Sequence, residues 1–148
     1  MFSKIQLITE CKTVLNIKIN QLKSDLNLIN DAIQNETKST VGDKHEVAKA
    51  HYQTEQQKLQ TQLINAEFQL NQLLKINLQH TKQITLGSLF KTNNQWFYMS
   101  VSIGKVYVEN NCVITLSSDS PFSKAFSGKK ENETVFFNNI NYTIEKII

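Results

Sequence analysis

Two carboxylates, Asp43 and Glu46, stand three residues apart in the stretch Thr40-Val41-Gly42-Asp43-Lys44-His45-Glu46. On a helix, side chains at i and i+3 share a face, and one or two carboxylates completed by water suit Mg²⁺. Two carboxylates cannot enclose a metal alone, so this reading needs a partner that supplies the rest of the shell. The same spacing fits a capping box, with Asp43 accepting from a backbone N–H and Glu46 reaching back. Acidic residues there also suit the positive end of the helix dipole. Spacing alone favours the cap.

Other reactive residues carry weaker patterns. His45 and His51 are six apart, not the three or four of a helical metal pair, and His80 lies further along. All three read as surface or junction histidines. Ser127-Gly128-Lys129-Lys130 has the ending of a phosphate-binding loop, but the required earlier glycine is Ser123, so the motif is rejected. Cys11 and Cys112 fit no metal spacing and read as reduced thiols. No Ser/His/Asp or Cys/His signature stands out. Lys38, Lys44 and Lys49 surround the acidic stretch, as a solvated face or as steering charge for RNA phosphates.

The elements that must hold these residues are long. From about Phe2 to Asn35 a seven-residue beat runs in two rows. Ile8, Leu15, Leu22 and Ile29 form one row; Ile5, Ile19, Leu26 and Ile33 form the other, broken at Lys12. Steps of four and three put both rows on one helix face. The polar run 35–42 reads as a turn. A second beat follows to about Leu78, with Tyr52, Leu59, Ala66 and Leu73 in one row and Gln56, Leu63 and Leu70 in the other. Two such helices pack antiparallel. About 30 residues each gives arms of roughly 45–50 Å. The seam weakens towards the turn, where Gln56, Tyr52 and Ala48 replace Leu and Ile, so faster exchange is expected there.

After His80 the period changes to short β-branched and aromatic runs: 84–90, 96–101, 106–108, 112–116, 134–137 and 142–147. Asn93-Asn94, Asn110-Asn111 and Asn138-Asn139 separate them and tolerate left-handed turns. Ser120 as N-cap and Pro121 at the first helical position predict a short helix to about Phe126, stopping at Gly128. The expectation is an α+β chain. Residues 1–80 form an antiparallel coiled-coil hairpin, and residues 81–148 a small antiparallel sheet domain with one short helix.

Composition sets outer limits. The chain has 148 residues, with 16 Lys+Arg against 13 Asp+Glu, a net charge of +3. That is too weak to argue nucleic-acid binding alone. Four Gly and one Pro fit long unbroken elements. The start lacks a signal-peptide core, and no apolar run reaches the ~18 residues of a membrane span. A cytoplasmic location is expected. The sequons at Asn35, Asn132 and Asn141 read as chance matches.

Two stretches resemble the Gre family of bacterial transcript-cleavage factors, the GreA/GreB group, over nearly the whole chain. Gly42-Asp43-Lys44-His45-Glu46-Val47-Ala48 is similar to the family tip pattern G-D-L-S-E-N-A. Leu86-Gly87-Ser88, then 117–130 around Ser120-Pro121, then Tyr142-Thr143-Ile144, is similar to its G-S strand, S-P-x-x-x-A-L-x-G-K helix and closing Y-x-I strand. The resemblance implies a coiled coil followed by a domain of FKBP-like fold, which docks on RNA polymerase while the coiled coil enters the secondary channel. Asp43 and Glu46 then match the two tip carboxylates. They would help hold the second catalytic Mg²⁺ of the polymerase, whose own site hydrolyses backtracked RNA near the nascent 3′ end. Asp119, Ser120 and Pro121 match the polymerase-docking loop. The implied protein is not itself an enzyme, has no cofactor of its own, and is monomeric.

The chain departs from the pattern at four places. Lys44 and Val47 stand where Leu and Asn are usual, Thr54 where a basic residue is usual, and Asn132-Glu133 where the family has G-D. The alternatives are a non-cleaving regulator of the same channel and, in a different class, a coiled-coil adaptor that binds another protein or peptide.

Overall fold

A computed structural model describes residues 2–38 and 42–148, with no side-chain description for 37 and 38. Of the polar turn expected at 35–42, residues 35–38 continue helix α1, while residues 39–41 and the side chains of 37 and 38 lie outside the described residues. Helix α1 runs Lys4–Lys38 and α2 runs Asp43–Leu74. Six strands and one short helix follow: β1 Leu89–Thr92, β2 Gln95–Ser100, β3 Lys105–Val108, β4 Asn111–Ser117, α3 Pro121–Phe126, β5 Thr134–Phe137 and β6 Ile140–Ile147. Among the described residues, no helix is long and apolar enough to cross a membrane.

The chain forms two compact units. One is Leu15–Gln69; the other joins the chain up to Val14 to Leu70–Ile148. In the first, α1 and α2 pair antiparallel. Gln56 Nε2 donates to Asn30 Oδ1 at 2.6 Å, and Glu36 meets His45, so positions rise on one helix as they fall on the other. Leu15, Ile19 and Leu22 are buried on α1, and Leu59 and Ala66 on α2, as the heptads require.

In the second unit the buried face of α1 turns. Ile5, assigned to the seam, is 66% exposed, while Lys4, Leu7, Ile8 and Cys11 are buried. The reason is a change of neighbour. Phe2 meets the Trp96 ring edge-on at 5.4 Å, and burial, then the neighbouring Cys11, pushes the Tyr98 hydroxyl up. Here the helix covers a sheet face, so the apolar stripe follows the sheet. The start of α1 carries a capping box: Gln6 N–H donates to Ser3 Oγ at 3.1 Å, and Ser3 N–H to Gln6 Oε1 at 2.7 Å.

The sheet order is β3-β4-β2-β1-β6-β5. Four pairings are antiparallel, but β2 and β4 run parallel, with Trp96 opposite Val113 and Ser100 opposite Ser117. The sheet is thus mixed rather than purely antiparallel, because β3 hairpins onto β4 and leaves β4 to return alongside β2. Alternation along β2 points Phe97 and Met99 to one face and Trp96, Tyr98 and Ser100 to the other. The first face holds the main core, with Phe90, Phe126, Val135, Ile144 and Ile147.

Turn chemistry fixes the hairpins. Asn93-Asn94 and Asn138-Asn139 both sit at positive φ and close two-residue turns. The third turn lies one residue earlier than expected: Glu109 and Asn110 connect Val108 to Asn111, and Glu109 takes the positive φ of 54°. The 84–90 run yields only β1. Its Gly87 has φ 93°, and a Cβ there would lie 2.7 Å from the Asn77 carbonyl oxygen. Helix α2 ends at Leu74, short of Leu78, and the chain then passes directly against this glycine.

Candidate functional site

Helix α2 opens at Asp43, with Gly42 just before it, and the His45 N–H donates to the Gly42 carbonyl at 3.1 Å. Asp43 is therefore inside the first turn and is not the N-cap, so the capping box expected from spacing is not formed. Glu46 shares that turn. Both side chains are exposed, and among the described residues neither makes a hydrogen bond or ion pair. The start of the helix gives the site a partial positive end that favours two negative side chains. Lys44, between them, is also exposed.

His45 has a role that its spacing did not signal. Its Nδ1 lies 2.7 Å from Glu36 Oε2 on α1, an ion pair when the imidazole is protonated. This contact ties the first turn of α2 to α1. Glu36 falls in the run read as a turn, and helix α1 carries it because it continues to Lys38; its pairing with His45 is readable only once the register is known. A surface hollow of about 530 Å³ lies beside Asp43, lined also by Val47, His51 and Tyr52, with Val47 69% exposed.

Among the described residues, no group of three or more His, Cys, Asp and Glu is placed to hold a metal ion. Asp43 and Glu46 offer free oxygens on one helix face, which fits a Mg²⁺ whose remaining ligands come from elsewhere.

The second candidate set lies in the other unit. Ser120 is the N-cap of α3: its Oγ accepts from Ser123 N–H at 3.1 Å and lies 2.9 Å from Ser123 Oγ. Pro121 occupies the first helical turn, where its missing N–H costs nothing. Asp119 donates its N–H to Ser117 Oγ, and its carboxylate is unengaged among the described residues. So Ser120 is spent on the cap, while the Asp119 carboxylate and the Pro121 ring face outward. Phe122 anchors the segment, with ring centroids 4.5–5.4 Å from Phe126, Phe97, Phe137 and Tyr142.

The two cysteines are free, Cys11 buried and Cys112 half-buried. Burial, and then the charge of Glu10, pushes the Cys11 thiol up to about 12. It stays protonated at neutral pH and is a packing residue. Among the described residues, three buried polar atoms have no hydrogen-bond partner: Lys4 Nζ, Tyr98 Oη and Ser100 Oγ.

Fold and site together define a class: a two-helix hairpin bearing an unengaged acidic turn, followed by a mixed six-stranded sheet with one short helix. Among solved structures, the chain is similar to the transcription factor Gfh1, with 14% identity, 87% of this chain and 92% of that one covered, and a TM-score of 0.37. It is also similar to GreA factor homolog 1 of Thermus thermophilus, with 15% identity, 88% and 94% covered, and a TM-score of 0.36. No protein-family model and no curated protein matches it.

Proposed function

We propose that this chain is a transcription factor that binds RNA polymerase and presents Asp43 and Glu46 to the polymerase's catalytic Mg²⁺, stimulating cleavage of backtracked RNA. The observation that carries the reading is the state of the two carboxylates: both in the first turn of α2, exposed and unengaged. The metal supplies Lewis-acid stabilisation and an activated water. Asp43 and Glu46 add negative charge and fix orientation beside it, at a helix N-terminus whose dipole favours that charge. Residues 81–148 act as the docking domain, with Asp119 and Pro121 as contacts held in place by the Ser120 cap and the Phe122 anchor.

The test is RNA shortening in stalled bacterial elongation complexes. The wild-type protein accelerates it; Asp43→Ala/Glu46→Ala lowers the stimulated rate at least tenfold while binding to polymerase persists. Unchanged stimulation by the double variant removes the tip assignment. Asp119→Lys weakens polymerase binding, leaving the hairpin intact.

Lys44, exposed between the two carboxylates, favours a second reading. An ammonium there offsets the negative charge of the pair and weakens its pull on a divalent cation. On this reading the protein occupies the polymerase channel without stimulating cleavage. In the same assay it gives no shortening and competes with a cleavage-active factor.

A further inference from the structure

We propose that the cleft between residues 81–85 and 130–131 is a phosphate-binding site, independent of the acidic turn and of the docking segment. Two adjoining hollows of about 510 and 380 Å³ share Thr81, Lys82 and Lys130 as lining residues. Their walls are fixed by backbone pairing. Gln83 bridges to Lys130, Ile84 N–H donates to the Lys129 carbonyl at 2.8 Å, and Gly128 N–H donates to the Ile84 carbonyl at 2.7 Å. Two ammonium-bearing segments far apart in sequence are therefore held in one arrangement.

Neither Lys82 nor Lys130 has an ion-pair partner among the described residues. The nearby carboxylates bond backbone N–H groups rather than the two ammoniums: Glu131 Oε1 accepts from Ile147 N–H at 2.9 Å, and Glu133 Oε2 from Lys130 N–H at 2.7 Å. Glu131 lines the smaller hollow, so the anion belongs in the larger one, away from it. There the Thr85 hydroxyl is free of hydrogen bonds among the described residues and adds a neutral donor. Two ammoniums match the double charge of a phosphate monoester better than the single charge of a carboxylate. The larger hollow exceeds one phosphate and has the size of a nucleotide site. His80, in the smaller hollow, is oriented by donating Nε2–H to the Ile147 carbonyl at 3.1 Å.

The test uses the full chain in a ¹⁵N chemical-shift titration with inorganic phosphate, adenosine monophosphate, a short single-stranded RNA and, as a control, acetate. Saturable shifts centred on 81–85 and 128–131 are expected with the phosphate-bearing ligands. Lys82→Gln/Lys130→Gln should weaken binding at least tenfold, with amides elsewhere unmoved, because both side chains are exposed. Tighter binding of the strand than of the mononucleotide identifies a nucleic-acid backbone as the source; equal binding of inorganic phosphate identifies a small anion. No saturable shift at these amides, unchanged affinity in the double variant, or acetate binding as tightly as phosphate overturns the proposal.

Discussion

Lys4 ends in a place that water barely reaches, and among the described residues nothing accepts from its Nζ. Burial alone pulls its pKa below the ordinary lysine value of 10.5. A buried donor without a partner costs roughly 1–3 kcal/mol, so Lys4→Met, which keeps the length and loses the charge, should raise stability by about 1 kcal/mol. The sign with pH follows from linkage. A lowered lysine pKa penalises the fold while the residue is charged in both states, and the penalty fades as pH rises to 10.5. The advantage of Lys4→Met in urea denaturation should be largest near neutrality and shrink towards pH 10.5. An advantage that grows with pH would refute the account. None of this was legible in the sequence, where Lys4 stands beside Ile5 and the heptad assigns burial to Ile5. The stripe rotates only because Phe2 and Cys11 meet β2, a contact between residues almost a hundred apart. The Asp43–Glu46 pair was legible as a pair. Whether it capped the helix depended on where the first turn began, which one residue decides.

At the scale of elements, local signals were the readable ones. The α3 cap at Ser120-Pro121 and the turns at Asn93-Asn94 and Asn138-Asn139 rest on residue types that favour those conformations. Glu109 was not readable as a turn residue: it takes a left-handed conformation that its side chain does not prefer, imposed by the register of β3 on β4. The parallel pairing of β2 with β4 was equally hidden, since nothing in short β-branched runs states strand direction. The Ser3–Gln6 box, by contrast, was present as an S-x-x-Q signature and was missed. The seam carries its own prediction. Leu59 and Ala66 are buried, whereas Ala48, Tyr52 and Gln56 are only partly so. Fewer apolar contacts mean cheaper local opening. Amides at 46–56 should exchange at least tenfold faster than those at 59–69 in native-state hydrogen exchange; equal protection along α2 would contradict the gradient.

At the scale of the molecule, helices followed by a sheet were legible in order, because the hydrophobic period changes from helical to alternating after His80. How the chain divides was less so. The unit Leu15–Gln69 is nested within a unit built from residues on both sides of it. Strand β6 lies inside the sheet, between β1 and β5, and its Ile144 and Ile147 are core residues. Vectorial synthesis therefore meets an obstacle. The residues up to Val14 leave the ribosome early, yet the sheet face they cover cannot be completed until residue 147 has emerged. The pairings of Asn30 with Gln56 and of Glu36 with His45 are available much sooner, since they close short loops. Nascent chains stalled with residues up to about 120 outside the tunnel should leave residues 84–108 open to protease, and protection should come in one step once β6 is free. Through that interval the exposed stripe of Leu7, Ile8 and Cys11 has no sheet to cover it, which makes this short segment the natural target for a chaperone during synthesis.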